Sequence, residues 1–164
     1  MEIVVIANNI RSVFNVGSIF RTAEGFGIKK IYLTGYTPNP SSGLPHIKQK
    51  MDQEINKTAL GAEKLINFQY CSDINKLITK LKNQDYRIVG LEQDKKSILL
   101  PNYQPKYKKI AVLLGEEVSG INKELLKMCD DIIEIPMFGQ KESFNVSVAT
   151  GIVLYHLTTK QSLS

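Results

Sequence analysis

Ser143, Asn145 and Ser147 alternate where the polar stretch after a short apolar run, residues 132–135, passes into a long apolar one, residues 146–157. The first run reads as a buried strand stopped by Pro136, the second as a helix capped by Ser143 or Asn145, and Gly139 closes the loop between them. Hydroxyl and amide side chains at a helix start, unpaired backbone amides and strand-end carbonyls near Ile135 and Met137 together suit a polar ligand with an apolar body. Capping alone would also account for the same residue types. A second constellation is Gly115-Glu116-Glu117-Val118-Ser119-Gly120. Its glycines permit close backbone approach, and its carboxylates can hold a cation or a hydroxyl. It is neither GxGxxG nor a P-loop, so a dinucleotide or nucleoside-triphosphate fingerprint is absent. Its plain alternative is a strand-to-helix turn ahead of a helix over residues 122–128. A third is Arg21, about 140° round its helix from Val16 and so off the apolar stripe. It is free to face solvent, ligand or another chain.

These groups need elements to hold them. Residues 2–7 form a continuous apolar run, as expected for a strand buried on both faces of a parallel sheet. After a polar turn, Asn15 is expected to cap a helix over residues 16–26, with Val16, Ile19, Phe20, Ala23 and Phe26 as its apolar stripe and Gly27 as its stop. Further strands are expected over residues 30–34, 68–71, 87–91 and 109–114. A short helical piece is expected over residues 56–64, and an amphipathic helix over 74–81 started by Ser72 or Asp73. Residues 35–49 and 92–108, rich in polar residues and prolines, read as long loops. Strands alternating with helices imply an α/β fold, with a mainly parallel sheet and helices on both faces. Ligands in such sheets bind beyond the carboxyl ends of the strands. That points to residues 91–93, 114–120 and 135–143.

A chain of 164 residues is expected to form a single domain, residues 1–164, with a sizeable core. No run approaches the roughly 18 apolar residues of a membrane span, and Met1 leads into a strand rather than a signal-peptide pattern. A cytoplasmic location without membrane attachment follows as the expectation. Cys71 and Cys129 lack metal or CxxC spacing, so reduced thiols and no metal site are expected. The net charge is +5, and the excess lies wholly in residues 1–82. A basic half suggests an anionic partner such as RNA, with Arg11, Arg21, Lys29, Lys30, Lys48 and Lys50 as candidate contacts. The helix over residues 146–157 is apolar nearly all round, so one side is expected against its own sheet and the other against a second copy.

Three segments, Asn15-Val-Gly-Ser-Ile-Phe-Arg21 through Gly27, Leu113-Leu-Gly-Glu-Glu117-Val-Ser-Gly120, and Ile135-Pro-Met-Phe-Gly139 with Ser143-Phe-Asn145-Val-Ser-Val-Ala149, stand in order. In order and spacing they resemble the three signature motifs of the SpoU family of RNA ribose 2′-O-methyltransferases, in the SPOUT superfamily. Phe144 departs from that pattern, since relatives more often show a smaller aliphatic residue there. The resemblance implies S-adenosylmethionine as methyl donor, a homodimer and a C-terminal trefoil knot. It places the cofactor against Leu91, Gly115, Ile135, Met137, Ser143 and Phe144. It also places Arg21 at the hydroxyl, with Asn15, Glu117, Ser143 and Asn145 orienting it and the ribose. Because arginine is almost never neutral, Arg21 is expected to bind a substrate phosphate and polarise the hydroxyl rather than take its proton. A pocket of backbone and apolar atoms would suit loss of the sulfonium charge better than a carboxylate-lined one. His46 and His156 are not expected to be acid–base groups. Small size favours tRNA over ribosomal RNA as substrate. The alternative is an RNA-binding dimer of the same fold that has lost catalysis.

Overall fold

The structure is a computed structural model that describes residues 1–40 and 45–160, apart from the side chains of Ile47 and Lys48. Its centre is β1 (Glu2–Asn8), whose residues from Ile3 onward are all buried. It is paired on both sides by parallel neighbours, β2 (Lys30–Thr34) on one and β6 (Lys109–Leu114) on the other. The full sheet is parallel and runs β3 (Phe68–Cys71), β2, β1, β6, β4 (Arg87–Leu91), β7 (Asp131–Glu134), β5 (Ile98–Leu99). Alternate residues of each strand feed different layers. On one face Ile3, Val5 and Ala7 meet α1 (Val13–Gly25), α2 (Pro45–Ala59), α3 (Ala62–Leu65) and α6 (Val146–Thr159). On the other, Val4 and Ile6 meet α4 (Ile74–Lys82) and α5 (Lys123–Met128).

The expected strands over 30–34, 68–71, 87–91 and 109–114 are found at those bounds. Four expectations need correction. The first helix begins three residues early, because Ser12 rather than Asn15 supplies the cap: its hydroxyl accepts from the Asn15 N–H at 3.3 Å. The long loop after β2 gives way to α2 at Pro45, where a proline costs no helical hydrogen bond; residues 41–44 of that loop lie outside the described part. The helical piece over 56–64 is the end of α2 plus α3, separated by Leu60 and Gly61 with φ of 51° and 95°. Residues 92–108 hold β5 and a 3₁₀ turn, Leu100–Asn102, rather than a loop alone.

The ends of the sheet are held differently. Where β4 and β7 begin, Arg87 clasps the Asp131 carboxylate through Nε and Nη2 at 3.0 and 2.9 Å, and the Tyr103 hydroxyl donates to it at 2.9 Å. At the carboxyl end, β7 lies between β4 and β5, so residues 92–97 cross over the point where the chain leaves β7. The chain then returns into α6, capped by Asn145. Helices α1 and α6 lie side by side and parallel. Asn15 meets Asn145 at their starts, a Cβ on Gly151 would sit 3.6 Å from the Thr22 methyl at mid-length, and the Phe26 and Tyr155 rings lie 6.4 Å apart at their ends. Among the described residues no helix is long and apolar enough to cross a membrane.

Candidate active site

All the parallel strands point their carboxyl ends at one edge, and there the connections after β4, β6 and β7 enclose a cleft of about 490 Å³. The segment after β6 turns back on itself: Glu116 and Gly120 exchange two backbone hydrogen bonds, at 3.2 and 2.9 Å. Glycine is required at both ends of this turn. A Cβ on Gly115 would lie 2.4 Å from the Gly120 carbonyl carbon, and Gly120 has φ of +65°. The turn projects Glu117 towards the start of α1. There its carboxylate accepts the N–H groups of Arg11 and Ser12 at 2.9 and 3.1 Å and the Asn15 side-chain amide at 2.9 Å. Burial pushes the Glu117 carboxyl up, but these donors outweigh it and hold it below the usual carboxylate range. A negative charge at a helix N-terminus is further favoured by the helix dipole.

Asn15 passes the connection on. Its carbonyl oxygen accepts from the Asn145 side-chain amide at 3.1 Å, and the Asn145 oxygen accepts from the Ser147 N–H and hydroxyl at 2.9 and 2.7 Å. Glu117, Asn15 and Asn145, drawn from three distant segments, thus form one hydrogen-bonded chain along the cleft. Because Ser12 takes over capping, the Asn15 side chain is left free for this role.

Leu91, Gly115, Ile135, Met137, Ser143 and Phe144, expected around a cofactor, all line the cleft, and so do Glu117 and Asn145. Asn15 joins through its two hydrogen bonds. Arg21 is not brought in: it is exposed on α1, six residues and about 9 Å along the helix beyond Asn15. Arg11 lies at the rim, its guanidinium 3.7 Å from Glu116. Lys29 and Lys30 stand where β2 begins, at the opposite edge of the sheet, and the Lys30 ammonium is taken by Gln69 at 2.9 Å and the Tyr32 ring at 4.8 Å. Lys50 is exposed on α2, and the Lys48 side chain lies outside the described part.

The cleft is not the carboxylate-poor pocket expected for sulfonium chemistry, since Glu92, Glu116, Glu117, Glu134 and Glu142 all line it. The reason is that four of the five already bind protein groups. Glu92 accepts the Ile121 N–H at 2.6 Å, and Glu134 the Ser97 hydroxyl at 2.6 Å. The Ser119 hydroxyl, foremost, and Tyr36 hold Glu116 below the usual carboxylate range. Sequence reasoning marked residues 91–93 as a cleft loop without giving Glu92 or Gln93 a part. The available signal was a glutamate directly after a buried strand, facing a glycine turn. Among the described residues no group of His, Cys, Asp and Glu could hold a metal ion.

The "SpoU rRNA Methylase family" matches residues 2–155, and the chain belongs to that family. Its sequence is 31% identical over 156 residues to the tRNA (guanosine(18)-2′-O)-methyltransferase of Aquifex aeolicus, covering 94% of this chain and 67% of that protein. It is 28% identical over 152 residues to the 23S rRNA (guanosine-2′-O-)-methyltransferase RlmB of Neisseria meningitidis, covering 93% of this chain and 56% of that one. The A. aeolicus TrmH/SpoU tRNA modifying enzyme superposes with a TM-score of 0.83 at 23% identity, over 99% of this chain and 76% of that one. The chain is an RNA methyltransferase with the SpoU fold.

Proposed function

We propose that the cleft binds S-adenosylmethionine and that the protein methylates a ribose 2′-hydroxyl in structured RNA, tRNA in preference to ribosomal RNA. The observation that carries this is the Glu117–Asn15–Asn145 chain, which joins all three family motifs at one cleft. The residues fit the cofactor. Gly115 keeps the turn folded tightly against the cleft, since a Cβ there would strike the Gly120–Ile121 backbone, while Leu91, Ile135, Met137 and Ala149 supply apolar surface. When bound, the cofactor supplies an electrophilic methyl group on a sulfonium. A ribose hydroxyl is a weak nucleophile, so the protein's share is alignment. Ser143 and Asn145 orient the ribose. Arg21 binds the neighbouring phosphate and polarises the hydroxyl oxygen, and the proton leaves to a phosphate oxygen or water.

Arg21 reaches the reaction through a second copy. Its face of α1 carries Phe14 and Ser18, and the adjoining face of α6 carries Val148, Ile152 and Tyr155; Phe14, Val148 and Tyr155 are 47%, 50% and 61% exposed. A two-fold homodimer through this surface covers them and turns Arg21 towards the partner's cleft. The crossing of residues 92–97 over the end of β7 supports the trefoil threading implied by the family. A cytoplasmic location suits an RNA-modifying enzyme.

The test is ribose-methylation mapping by mass spectrometry on tRNA and ribosomal RNA incubated with the purified protein and S-adenosylmethionine. A single new 2′-O-methyl position in tRNA is expected. Binding without any methylation would replace this reading by the inactive RNA-binding dimer. Arg21→Ala and Asn145→Ala dimers should each be inactive, whereas the mixed dimer should regain up to about half the wild-type activity. A mixed dimer as inactive as its parents would remove the composite site.

A further inference from the structure

The dipeptide that follows β4, Glu92-Gln93, touches both other walls of the cleft. Glu92 is fixed first by the sheet, since its own N–H donates to the Ile133 carbonyl at 3.0 Å. Its carboxylate then reaches sideways. One oxygen accepts the Ile121 N–H at 2.6 Å, and the other the Gln93 N–H at 2.9 Å. The bond to Ile121 lands on the residue that closes the glycine turn, and the fit is close: a Cβ on Gly120 would lie 2.0 Å from the carboxylate oxygen. Gln93 reaches the other way, its side-chain amide donating to the Glu142 carbonyl at 2.6 Å in the loop that carries Ser143 and Asn145.

From this we infer that Glu92 and Gln93 are positioning residues that clamp the two loop walls of the cofactor cleft onto the end of β4. This rests on the reading of the cleft as the S-adenosylmethionine site. Both carboxylate oxygens of Glu92 already accept backbone N–H groups, so the residue is a brace and not a proton acceptor for the hydroxyl. Its hold on Ile121 ties the glycine turn, itself closed by the Glu116–Gly120 pair, to the end of β4, and so places the wall against which the cofactor lies. The same hold fixes the direction in which Glu117 leaves the turn towards Asn15. Gln93 sets the height of the opposite wall. Neither residue belongs to the Glu117–Asn15–Asn145 chain, and each acts on it from outside.

The experiment measures S-adenosylmethionine affinity by isothermal titration of the full chain, with thermal unfolding and cofactor-free tRNA binding measured on the same samples. Glu92→Ala is expected to weaken cofactor binding by about tenfold to a hundredfold, the usual range for losing a hydrogen bond to a charged group. Glu92→Gln keeps one acceptor for Ile121 and should recover to within about fivefold of wild type. Gln93→Leu, at an exposed position, should weaken binding by about threefold to tenfold without moving the unfolding temperature. RNA affinity should stay unchanged in all three. A Glu92→Ala protein that binds the cofactor within about twofold of wild type, while Gly115→Val does not bind it, would overturn the clamp and leave the cleft reading standing. Loss of RNA affinity in step with cofactor affinity would also overturn it, since that is general loosening. Normal binding by Gly115→Val would remove the cleft reading and the clamp together. If Glu92→Ala does not fold, Gln93→Leu decides: unchanged affinity there overturns the proposal.

Discussion

Two carboxylates at opposite edges of the sheet, Asp131 and Glu117, are both held below the usual carboxylate range, by opposite means. At Asp131 the Arg87 guanidinium is the main cause; burial opposes it and the Tyr103 hydroxyl assists. Charge meets charge there, and the pair is closed. Around Glu117 burial works against ionisation, and neutral donors, the N–H groups of Arg11 and Ser12 and the Asn15 amide, overcome it. Its negative charge is solvated but not cancelled. The first arrangement joins β4 to β7 and has nothing left to offer a ligand. The second keeps a net charge beside a cleft, where a cationic ligand changes its environment. Ionisation below the usual carboxylate range by itself therefore does not separate a brace from a site; the nature of the partner does.

The comparison breaks most sharply at the glycine turn. Gly115→Val should abolish cofactor binding, with turnover down more than about a hundredfold, because the added carbons have only backbone to push against. Thermal unfolding should remain cooperative, and titration calorimetry reads the loss. Next comes Glu117→Ala, expected to lower kcat by about tenfold to a hundredfold by releasing Asn15. Since Glu117 ionises below the usual carboxylate range, its contribution is present above the unfolded value of about 4.3 and is lost only as pH falls through the lower folded value. Wild-type turnover should accordingly show no Glu117 limb above about pH 5, and a pH profile against Glu117→Gln checks this.

Asp131→Asn should do the reverse. A stability loss of about 1–3 kcal/mol in chemical denaturation is expected, with activity per folded molecule close to wild type. Because the folded Asp131 carboxyl is also depressed, the difference should be full above about pH 4 and shrink as pH falls further. The smallest effect concerns RNA. Arg11→Ala, at the rim, should reduce the salt dependence of tRNA binding by about one unit of slope. Lys30→Ala should leave the slope unchanged, its ammonium being occupied at the far edge. Equal effects would extend the RNA footprint round to that edge.

How much of this was legible in the sequence depended on how local the deciding contacts are. Strands buried on both faces announce themselves as apolar runs, and four expected strands match their observed bounds. The start of α1 did not, because Ser12 and Asn15 are both competent caps three residues apart. What decides between them is Glu117, 102 positions away. Two-residue β5 is too short for any period to show. The six residues expected around the cofactor fall in the cleft because strand ends and glycines are sequence-visible. The part of Glu92 is not legible in the sequence, since its partners are backbone N–H groups, which every sequence has everywhere. Arg21 could be placed on the outer face of α1 by helical spacing, but no spacing within one chain says what that face meets.

The position of β7 between β4 and β5 also bears on the order in which the sheet is made. As the chain emerges during synthesis, β4 must wait for β6 to join it to β1, and β5 has no neighbour at all until residues 131–134 appear. Residues 92–108 therefore spend the middle of synthesis without a strand to add to. The clamp at Glu92 and Gln93 closes only after both of its targets, Ile121 and Glu142, have been made. Pairing of this kind between distant segments is slow to form. The cleft is thus completed late: a nascent chain stopped short of α6 contains all seven strands but lacks Val146 and Ala149, which line the cleft from the start of that helix.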